Sequence, residues 1–365
     1  MGGRVGMIIA RMTEDRGNRV PARRVLVTGV AGFMGSHEAR ALLGDGYQVH
    51  GVDDLSGGFM ANVPKGCGFT RLELRNRRAV ERYMNRVRPE IIFHDAAFAT
   101  EGGSQFTPVA STERNYMMYL YTLVPALRCG LKKMVLISSM SVYGKQKPPF
   151  TEDMPRAPED IYGIAKASME HATELLSKVH RFLYTIIRPH NVYGPGQNMC
   201  DPYRNVIAIF INALLHDRPF YIYGNGKQRR SFTYIDDYTP YSIRAGLSRR
   251  FHGEVFNIGP REQLSLNDLA RLVIREFFGS EAACPGRLRP RYIRMGRPLE
   301  VKLAYSSQEK AGKLLGYRST VPIDEGVRRM IAWARSVGPR PFTYLKGGLE
   351  LVSSATPPTW TKKLY

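Results

Sequence analysis

The sequence predicts an α/β fold, in which helices cover both faces of a doubly wound parallel sheet and a smaller C-terminal lobe follows. Two observations predict the sheet. From Arg24 to Pro189, short stretches rich in Val, Ile and Leu alternate with longer amphipathic stretches, an order typical of parallel sheets. The short stretches are apolar almost throughout, as expected of strands that are buried on both faces. A third observation predicts the lobe: glycine and proline crowd together at residues 194–196, and the alternation ends there.

The first half of the chain divides into strands and helices in order. The predicted strands are Val25–Thr28, Gln48–Val52, a third that ends in Glu73–Asn76, Ile91–Phe93, Met134–Ile137 and Tyr184–Ile187. The predicted helices are Phe33–Leu43, one that ends at Val87, Glu113–Arg128 and Asp160–Val179. Because parallel strands need a crossover connection that is usually helical, this alternation favours the doubly wound arrangement.

The second half is predicted to build the lobe around a cleft at the carboxyl ends of the strands. Helices are predicted at Asn205–Leu215 and Leu264–Phe278, a strand at Phe220–Tyr223, and a possible return to the sheet at Ser231–Ile235. The predicted organisation is an N-terminal extension at residues 1–22, a sheet domain at residues 23–190 to which residues 230–262 return, a lobe at residues 191–229 and 263–335, and an extended tail at residues 336–365.

Composition limits the class of protein. Hydrophobic residues make up 43% and charged residues 23% of the chain, which argues against disordered, collagen-like and coiled-coil proteins. No apolar run approaches the roughly 20 residues of a membrane span, and no secretory signal is evident. Four cysteines without paired spacing argue against a zinc site or a disulfide framework. We expect a cytoplasmic protein that binds no metal and no membrane.

The chain is strongly basic, with a formal net charge of +21. Such a surplus attracts polyanions, so nucleic acid has to be considered as a partner. The basic residues are spread along the whole chain and do not gather in one helix or tail. We therefore expect no nucleic acid as a partner; an overall basic proteome or an anionic small substrate would account for the charge.

A glycine motif lies between the first strand and the first helix, at Gly29, Gly32 and Gly35. In that place the glycines permit a tight turn, the approach of a pyrophosphate to backbone N–H groups, and close packing of the helix on the strand. Asp53 closes the second strand, where its carboxylate can accept hydrogen bonds from both ribose hydroxyls of a dinucleotide. It would repel a 2′-phosphate, so NAD is preferred to NADP. The alternative is a tight turn and a strand-end Asp without a ligand.

The spacing Tyr-x-x-x-Lys occurs three times, at Tyr143/Lys147, Tyr162/Lys166 and Tyr223/Lys227. Residues four apart share a face only on a helix, and only Tyr162 and Lys166 begin a credible one. We expect Lys166 to reach the cofactor ribose and, with the positive nicotinamide ring, to favour the phenolate of Tyr162. Without the glycine motif, an exposed tyrosine and a solvated lysine would be the better interpretation.

A serine cluster, Ser138, Ser139 and Ser141, ends the strand that reaches Ile137. This is the carboxyl edge of the sheet, where a cofactor and its substrate meet. A hydroxyl there can bond the sugar oxygen that Tyr162 would deprotonate. Serine is also an ordinary residue at strand ends, so composition alone leaves both interpretations open.

Further motifs make a family recognisable between Arg24 and Trp333. They are His94–Ala97, Ser138–Gly144, Tyr162–Lys166, Arg188–Pro195, Arg230–Asp237, Asn257–Gly259 and Arg297–Pro298. With the glycine motif, they resemble the extended short-chain dehydrogenase/reductase superfamily, in its NAD-dependent nucleotide-sugar epimerase/dehydratase branch, and most of all enzymes of the UDP-glucose 4-epimerase type. The resemblance implies a Rossmann fold with a substrate-binding lobe, bound NAD, a nucleotide-diphosphate sugar as substrate, most of all a UDP-sugar, and a homodimer.

The resemblance also implies roles for individual residues. The catalytic residues would be Ser139, Tyr162 and Lys166. The cofactor would be held by Gly29, Gly32, Phe33, Met34, Gly35, Asp53, Glu73, Leu74, Ala96, Ala97, Asn115, Ser138 and Lys166. The substrate would be held by Ser139, Tyr162, Asn191, Tyr221, Tyr223, Arg230, Arg297 and Glu300, with the two arginines on the diphosphate.

Some positions depart from the family pattern. Glu73 replaces an aspartate that the family often has beside the adenine, Asp95 is unusual next to His94, and Ala99 replaces a lysine of some 4-epimerases. Ala304 resembles a gate that is small in epimerases that accept N-acetylated sugars.

The serine motif bears on the reaction. Related dehydratases and decarboxylases have acidic residues where this chain has Ser141 and Val142, so elimination of water has no obvious acid here. We therefore expect a 4-epimerase that oxidises C4 transiently, with a dehydratase, reductase or decarboxylase of the same superfamily as the alternative. A non-enzymatic cofactor sensor or RNA-binding relative comes third, because it would have no use for Ser139, Tyr162 and Lys166.

Overall fold

The structure is a computed structural model that describes residues 19–20 and 23–365. Most of the predicted N-terminal extension, residues 1–18 and 21–22, lies outside the described residues. Val20 is buried and its backbone N–H donates to the carbonyl of Leu247 at 2.8 Å. At least this part of the predicted extension is therefore packed against the sheet domain.

The central sheet is parallel, as predicted, and has seven strands among the described residues, one more than the six predicted in the first half of the chain. In chain order the strands are β1 (Arg24–Thr28), β2 (Gln48–Asp53), β3 (Gly68–Arg71), β4 (Ile91–His94), β5 (Lys133–Ile137), β6 (Leu183–Pro189) and β11 (Glu254–Ile258). Four short strands outside this sheet come before β11: β7 (Val192–Tyr193), β8 (Tyr221–Tyr223), β9 (Arg229–Arg230) and β10 (Thr233–Tyr234). Their spatial order is β11-β6-β5-β4-β1-β2-β3. The order reverses between β1 and β4, so a crevice forms at the carboxyl ends of these two strands.

Helices cover both faces of the sheet. They are α1 (Phe33–Gly44), α2 (Arg77–Val87), α3 (Pro108–Thr112), α4 (Met118–Arg128), α5 (Ile161–His180), α6 (Val206–Leu215), α7 (Thr239–Leu247), α8 (Leu266–Phe278), α9 (Glu309–Leu315), α10 (Ile323–Val337) and α11 (Pro358–Thr361). No helix in the described part of the chain is long and apolar enough to cross a membrane.

Alternate side chains of each central strand enter two separate cores. On β1, Val25 and Val27 pack on the face that α1 and α7 cover, whereas Leu26 packs with Tyr119 and other residues of α2 and α4 on the opposite face. All three are fully buried. Burial on both faces explains why these strands are apolar throughout and do not alternate with polar residues.

Three predicted elements differ from the structure. The third strand ends at Arg71, before Glu73–Asn76, because those residues turn into the N-cap of α2. The helix predicted at Glu113–Arg128 begins earlier, at Pro108, and passes through a π-helical turn at Glu113–Met117. The prediction that Ser231–Ile235 could return to the sheet is wrong: β10 (Thr233–Tyr234) pairs with β7 (Val192–Tyr193), and β11 is the strand that joins β6.

The lobe is assembled from short strands and the later helices. One small sheet has the order β12-β9-β14, from Leu264–Ser265, Arg229–Arg230 and Leu303–Ala304; another pairs β8 (Tyr221–Tyr223) with β13 (Arg291–Ile293). Because β9 ends at Arg230 and β8 contains Tyr223, these sheets place two predicted substrate residues beside the crevice of the central sheet.

The tail is mostly irregular, apart from α11, but it is not loose. Trp360 is 3% exposed and packs with Phe106 and Tyr203. The indole Nε1 donates to the carbonyl of Pro202 at 3.2 Å. The tail is thus packed against both the lobe and the loop that follows β4.

Candidate active site

One cavity of about 1150 Å³ runs along the carboxyl edge of the sheet and into the lobe. It is lined by the loops after β1, β2, β4 and β5, by the start of α5, and by β8, β9 and the tail. Almost every residue that the sequence predicted for the cofactor or the substrate lines this cavity, which places the two predicted sets in one continuous site.

The glycine turn brings backbone close to backbone at the floor of the cavity. Gly29 has φ +71°, and a Cβ there would lie 2.8 Å from the backbone nitrogen of Ala96. A Cβ on Gly35 would lie 2.6 Å from the carbonyl oxygen of Gly29. No side chain caps the start of α1 after Gly32, so its N–H groups are directed to the cavity, as a bound pyrophosphate requires. Phe33 and Met34 also line the cavity.

Asp53 lies at the end of β2 beside this turn. Its two carboxylate oxygens accept from the backbone nitrogens of Ala31, at 3.0 Å, and Leu55, at 2.8 Å. These bonds fix the carboxylate while each oxygen keeps a further lone pair for a ribose hydroxyl. Burial raises the pKa of Asp53, and the two backbone N–H groups oppose the increase. The residues at this end of the cavity therefore fit NAD.

Glu73, Leu74, Ala96 and Ala97 line the cavity next to Asp53, in the region predicted for the adenine. The carboxylate of Glu73 pairs with Arg75 at 2.8 Å, and this bond is the main reason for its lowered pKa.

Asn115 is a correction, since its side chain does not line the cavity. It lies fully buried in the π-helical turn. Its amide oxygen accepts from the backbone nitrogen of Phe98, and its amide nitrogen donates to the carbonyls of Phe98 and Ser111. These bonds engage both N–H donors of the amide and one lone pair of its oxygen with the backbone of Phe98 and Ser111, so no amide donor is left for a cofactor.

Tyr162 and Lys166 lie on the first turns of α5 and share one face. The helix starts here because the carboxylate of Asp160 accepts from the backbone nitrogen of Gly163 at 2.7 Å, as an N-cap does. Lys166 is 1% exposed, donates to the carbonyl of Ile137 at 2.7 Å, and places its Nζ 5.7 Å from the centroid of the Tyr162 ring. Helix and strand together thus fix the ammonium beside the phenol.

The pKa values differ from the prediction that Lys166 favours the phenolate. Burial raises the pKa of Tyr162, the carboxylate of Glu101 raises it further, and a hydrogen bond with Ser139 opposes both. Burial lowers the pKa of Lys166 to about 8. Burial is the largest influence on the pKa of the phenol, and it opposes the phenolate that the sequence predicted.

The serine cluster divides its hydroxyls between two environments. Ser139 accepts from the backbone nitrogen of Ser141 at 3.1 Å and from its hydroxyl at 2.9 Å, and it faces Tyr162. Ser138 lines the cavity but donates its hydroxyl to the buried carboxylate of Glu170, which also binds Arg188. The Ser138 hydroxyl therefore stabilises a buried ion pair, and only the Ser139 hydroxyl is available beside the phenol.

The lobe contributes positive charge to the far end of the cavity. Arg230 lies 3.8 Å from the carboxylate of Glu300. The guanidinium of Arg297 lies 5.0 Å from the centroid of the Tyr223 ring. Asn191 and Tyr221 also line this end, and the Asn191 amide donates to the carbonyl of Ser231 at 2.9 Å.

Ala304 is a second correction. It is 2% exposed and packs with Val142, Tyr143 and Phe150, away from the cavity. Its place on β14 next to β9 directs the methyl group into that small core, so it does not act as a gate. Ala99, in contrast, lines the cavity.

Sequence reasoning missed several residues of the cavity wall. Glu101 and Asp160 place two carboxyl groups near Tyr162, and burial together with Glu101 raises the pKa of Asp160 to about 7. Tyr344 and Lys346 of the tail line the opposite side. Only Asp160 had a signal in the sequence, as an N-cap residue two positions before Tyr162.

The comparisons agree with this geometry. A model of the NAD dependent epimerase/dehydratase family matches residues 25–259. The chain belongs to this family. The UDP-glucose 4-epimerase of Mycolicibacterium smegmatis is 31% identical over 325 residues, which are 86% of this chain and 99% of that protein. The UDP-N-acetyl-alpha-D-glucosaminuronate decarboxylase of Bacillus cytotoxicus is 32% identical over 262 residues, 68% of this chain and 78% of that protein.

Solved structures of the family have the same fold. The crystal structure of UDP-glucose 4-epimerase with UDP-glucose from Thermotoga maritima gives a TM-score of 0.78 at 31% identity and covers 86% of this chain and 99% of that one. The predicted Rossmann fold, NAD as cofactor and membership of the epimerase/dehydratase branch are confirmed. The chain is thus an NAD-dependent enzyme of the nucleotide-sugar epimerase/dehydratase superfamily.

Proposed function

We propose that the chain is a nucleotide-sugar 4-epimerase of the UDP-glucose/UDP-galactose type. One observation carries the proposal: Ser139, Tyr162 and Lys166 meet where the dinucleotide end of the cavity joins the end lined by Arg230 and Arg297. A sugar whose diphosphate is bound by the two arginines reaches the phenol from the lobe side. The similarity to 4-epimerases over 86% of the chain supports the same reaction.

In this mechanism the residues of the chain position the sugar and move one proton. The glycine turn and Asp53 would hold NAD, which when bound would supply the hydride acceptor and donor for C4. The ammonium of Lys166, 5.7 Å from the centroid of the Tyr162 ring, would favour the phenolate against the burial that raises the pKa of Tyr162. The phenolate oxygen of Tyr162 takes the C4 hydroxyl proton and later returns it, while Ser139 orients that hydroxyl by a hydrogen bond.

Between the two proton transfers the 4-keto sugar has to turn without leaving. Arg230 and Arg297 keep the diphosphate bound through planar forks of N–H donors, so rotation about the diphosphate linkage presents the opposite sugar face. Glu300, 3.8 Å from Arg230, orients that guanidinium, and its carboxylate can accept a hydrogen bond from a hydroxyl of the nucleotide ribose.

A dehydratase or decarboxylase is the second candidate, and one observation favours it. The acid that the serine motif lacks could come from Glu101 or Asp160, which lie near Tyr162 on the substrate side. Burial raises the pKa of both carboxyl groups, and at Asp160 the pKa reaches about 7, in the range that suits a general acid.

Product analysis separates the two candidates. The purified protein, with its NAD, is incubated in turn with UDP-glucose, UDP-galactose, UDP-N-acetylglucosamine and UDP-glucuronate, and the products are identified by NMR and mass spectrometry. We expect interconversion of C4 epimers at unchanged mass. Loss of one water or of carbon dioxide from the sugar would contradict the proposal and support the second candidate.

A further inference from the structure

The tail makes two anchored contacts across the mouth of the cavity. At the first, both carboxylate oxygens of Glu350 accept from the backbone nitrogens of Val109 and Ala110, at the start of α3, at 2.8 Å each. The backbone nitrogens of Glu350 and Leu351 donate to the carbonyl of Phe106 at 2.9 and 3.1 Å. This anchor holds the tail to the loop after β4.

The second anchor holds the tail to the lobe through α11. Thr359 is 1% exposed, and its backbone nitrogen donates to the hydroxyl of Tyr223 at 3.2 Å, while its Oγ1 lies 2.5 Å from the same hydroxyl. Trp360, the next residue, is 3% exposed and donates from its indole nitrogen to the carbonyl of Pro202. Both contacts use buried polar groups, so they fix the orientation of both aromatic rings.

Arg297 lies against the two rings that this anchor fixes. Its guanidinium carbon is 5.0 Å from the centroid of Tyr223 and 5.9 Å from that of Trp360. A Cβ on Gly102 would lie 3.7 Å from its Nη1 and 3.9 Å from the indole of Trp360. Two ring faces and one stretch of backbone thus determine where the guanidinium points.

Residues 343–348, which precede both anchors in the chain, form part of the cavity wall, including Tyr344 and Lys346. The backbone nitrogen of Thr343 donates to the carbonyl of Cys200, and that of Leu345 to the hydroxyl of Tyr203. The tail therefore connects the loop after β4 with the lobe and closes the side of the cavity on which Arg297 lies.

We propose that the C-terminal tail is a wall of the nucleotide-sugar site and that Trp360 is a positioning residue for Arg297. The inference rests on the proposed function, because it assigns Arg297 to the diphosphate. A guanidinium held over an aromatic face keeps its N–H donors free for phosphate oxygens, since the ring attracts the charge without accepting those donors.

The test compares two substitutions that both keep an apolar side chain at position 360. Trp360→Phe keeps a ring face for the guanidinium, whereas Trp360→Leu removes it. Calorimetric binding of UDP, UMP and uridine to the NAD-loaded protein is the measurement. For Trp360→Leu we expect UDP to bind about tenfold more weakly and uridine to bind as before, in line with a desolvated cation–π contact; Trp360→Phe should retain most of the UDP affinity.

Two further variants, Arg297→Ala and the double variant with Trp360→Leu, give a double-mutant cycle. Arg297→Ala should weaken UDP binding, and adding Trp360→Leu to it should cause no further loss, because the ring acts only through the guanidinium. Equal UDP affinity of Trp360→Leu and the unaltered protein would overturn the inference, as would an equal loss for uridine. Failure of the unaltered protein to bind UDP would instead overturn the proposed function, and the inference with it.

Discussion

At the scale of single residues, Tyr162 carries the most direct prediction. Its phenol is buried between Ser139 and Lys166, and Tyr162→Phe removes one oxygen without changing the volume of the ring. We expect kcat to fall by a factor of about 10² to 10⁴, the usual contribution of a general acid or base, while NAD stays bound. Steady-state kinetics and the absorbance of the copurified cofactor measure the two effects. Unchanged turnover would exclude Tyr162 as the acid/base.

A buried pair of carboxyl groups, Glu38 and Asp95, predicts how stability depends on pH. Both are desolvated and their side chains face each other, so burial and the facing charge of Glu38 raise the pKa of Asp95 well above its usual range. Among the described residues neither oxygen of Asp95 has a hydrogen-bond partner. Since the native state keeps a proton that the unfolded chain releases, stability is full below the unfolded pKa and decreases as pH rises towards the folded pKa.

Asp95→Asn tests this dependence. An amide cannot ionise and can still donate to Glu38, so we expect the variant to be more stable than the parent protein at pH 8 and to lose less stability between pH 5 and pH 8. Thermal unfolding at a series of pH values gives both quantities. A parallel decrease of Tm with pH in both proteins would contradict the assignment.

At the scale of the elements, Lys133 ties β5 to the end of α7. It is fully buried, and its ammonium donates to the carbonyls of Ala245 and Ser248 at 3.2 and 2.5 Å. These carbonyls lie in the last turn of α7 and just after it, where helices lack intrahelical donors. Burial lowers the pKa of Lys133 to about 7, but a neutral amine still has two N–H donors for the two carbonyls.

Lys133→Met should therefore destabilise the protein by about 1–3 kcal/mol, because it removes the ammonium that donates to the buried carbonyl of Ser248 and leaves the carbonyl of Ala245 with the hydroxyl of Thr185 as donor. The neighbouring Lys132→Met is the matched control. Lys132 pairs with Glu90 at the surface, and such pairs are worth about 0–1 kcal/mol. Urea unfolding of both variants gives the comparison; equal effects would show that the Lys133 hydrogen bonds do not stabilise α7.

Most elements of the sheet domain were predictable because their information is local. Burial on both faces makes β1, β4 and β5 apolar throughout, and an amphipathic stretch after each strand indicates its helix. Local information was not enough for Ser231–Ile235. This segment has the composition of a strand, but composition does not show which strand it pairs with, and it pairs with β7 outside the central sheet. The early start of α3 at Pro108 could not be predicted from periodicity, since the π-helical turn shifts the phase of the apolar face.

At the scale of the whole molecule, the site was predictable where short motifs carry it and not where distant segments meet. Gly29, Asp53, Tyr162 and Lys166 all follow strands or begin helices in fixed spacing. The role predicted for Asn115 differs from the structure because its position in the sequence does not show that its amide oxygen accepts a hydrogen bond from the backbone of Phe98. The contact of Trp360 with Arg297 joins residues from different parts of the fold, and no local pattern indicates such a pair.

The family resemblance predicts a homodimer, and the surface of α4 and α5 is consistent with one. Ile164, Leu175 and Val179 are 48%, 62% and 72% exposed, and their spacing of 11 and 4 residues places them on one face of α5. Val124 of α4 is 38% exposed. The two helices lie side by side, since the hydroxyl of Tyr119 on α4 contacts that of Thr173 on α5.

Burying these side chains against a second copy would remove apolar surface from water and stabilise the dimer by about 25 cal/mol per Å² buried. Both copies would contribute the same face, as a two-fold interface requires.

We expect light scattering after size exclusion to give about twice the 41.2 kDa of one chain. Leu175→Glu combined with Val179→Glu should give monomers, because two charges would enter an apolar interface. Leu351→Glu, at a tail position that is 55% exposed, is the control and should stay dimeric. A monomeric parent protein, or a dimer that survives both α5 substitutions, would contradict an interface through α5.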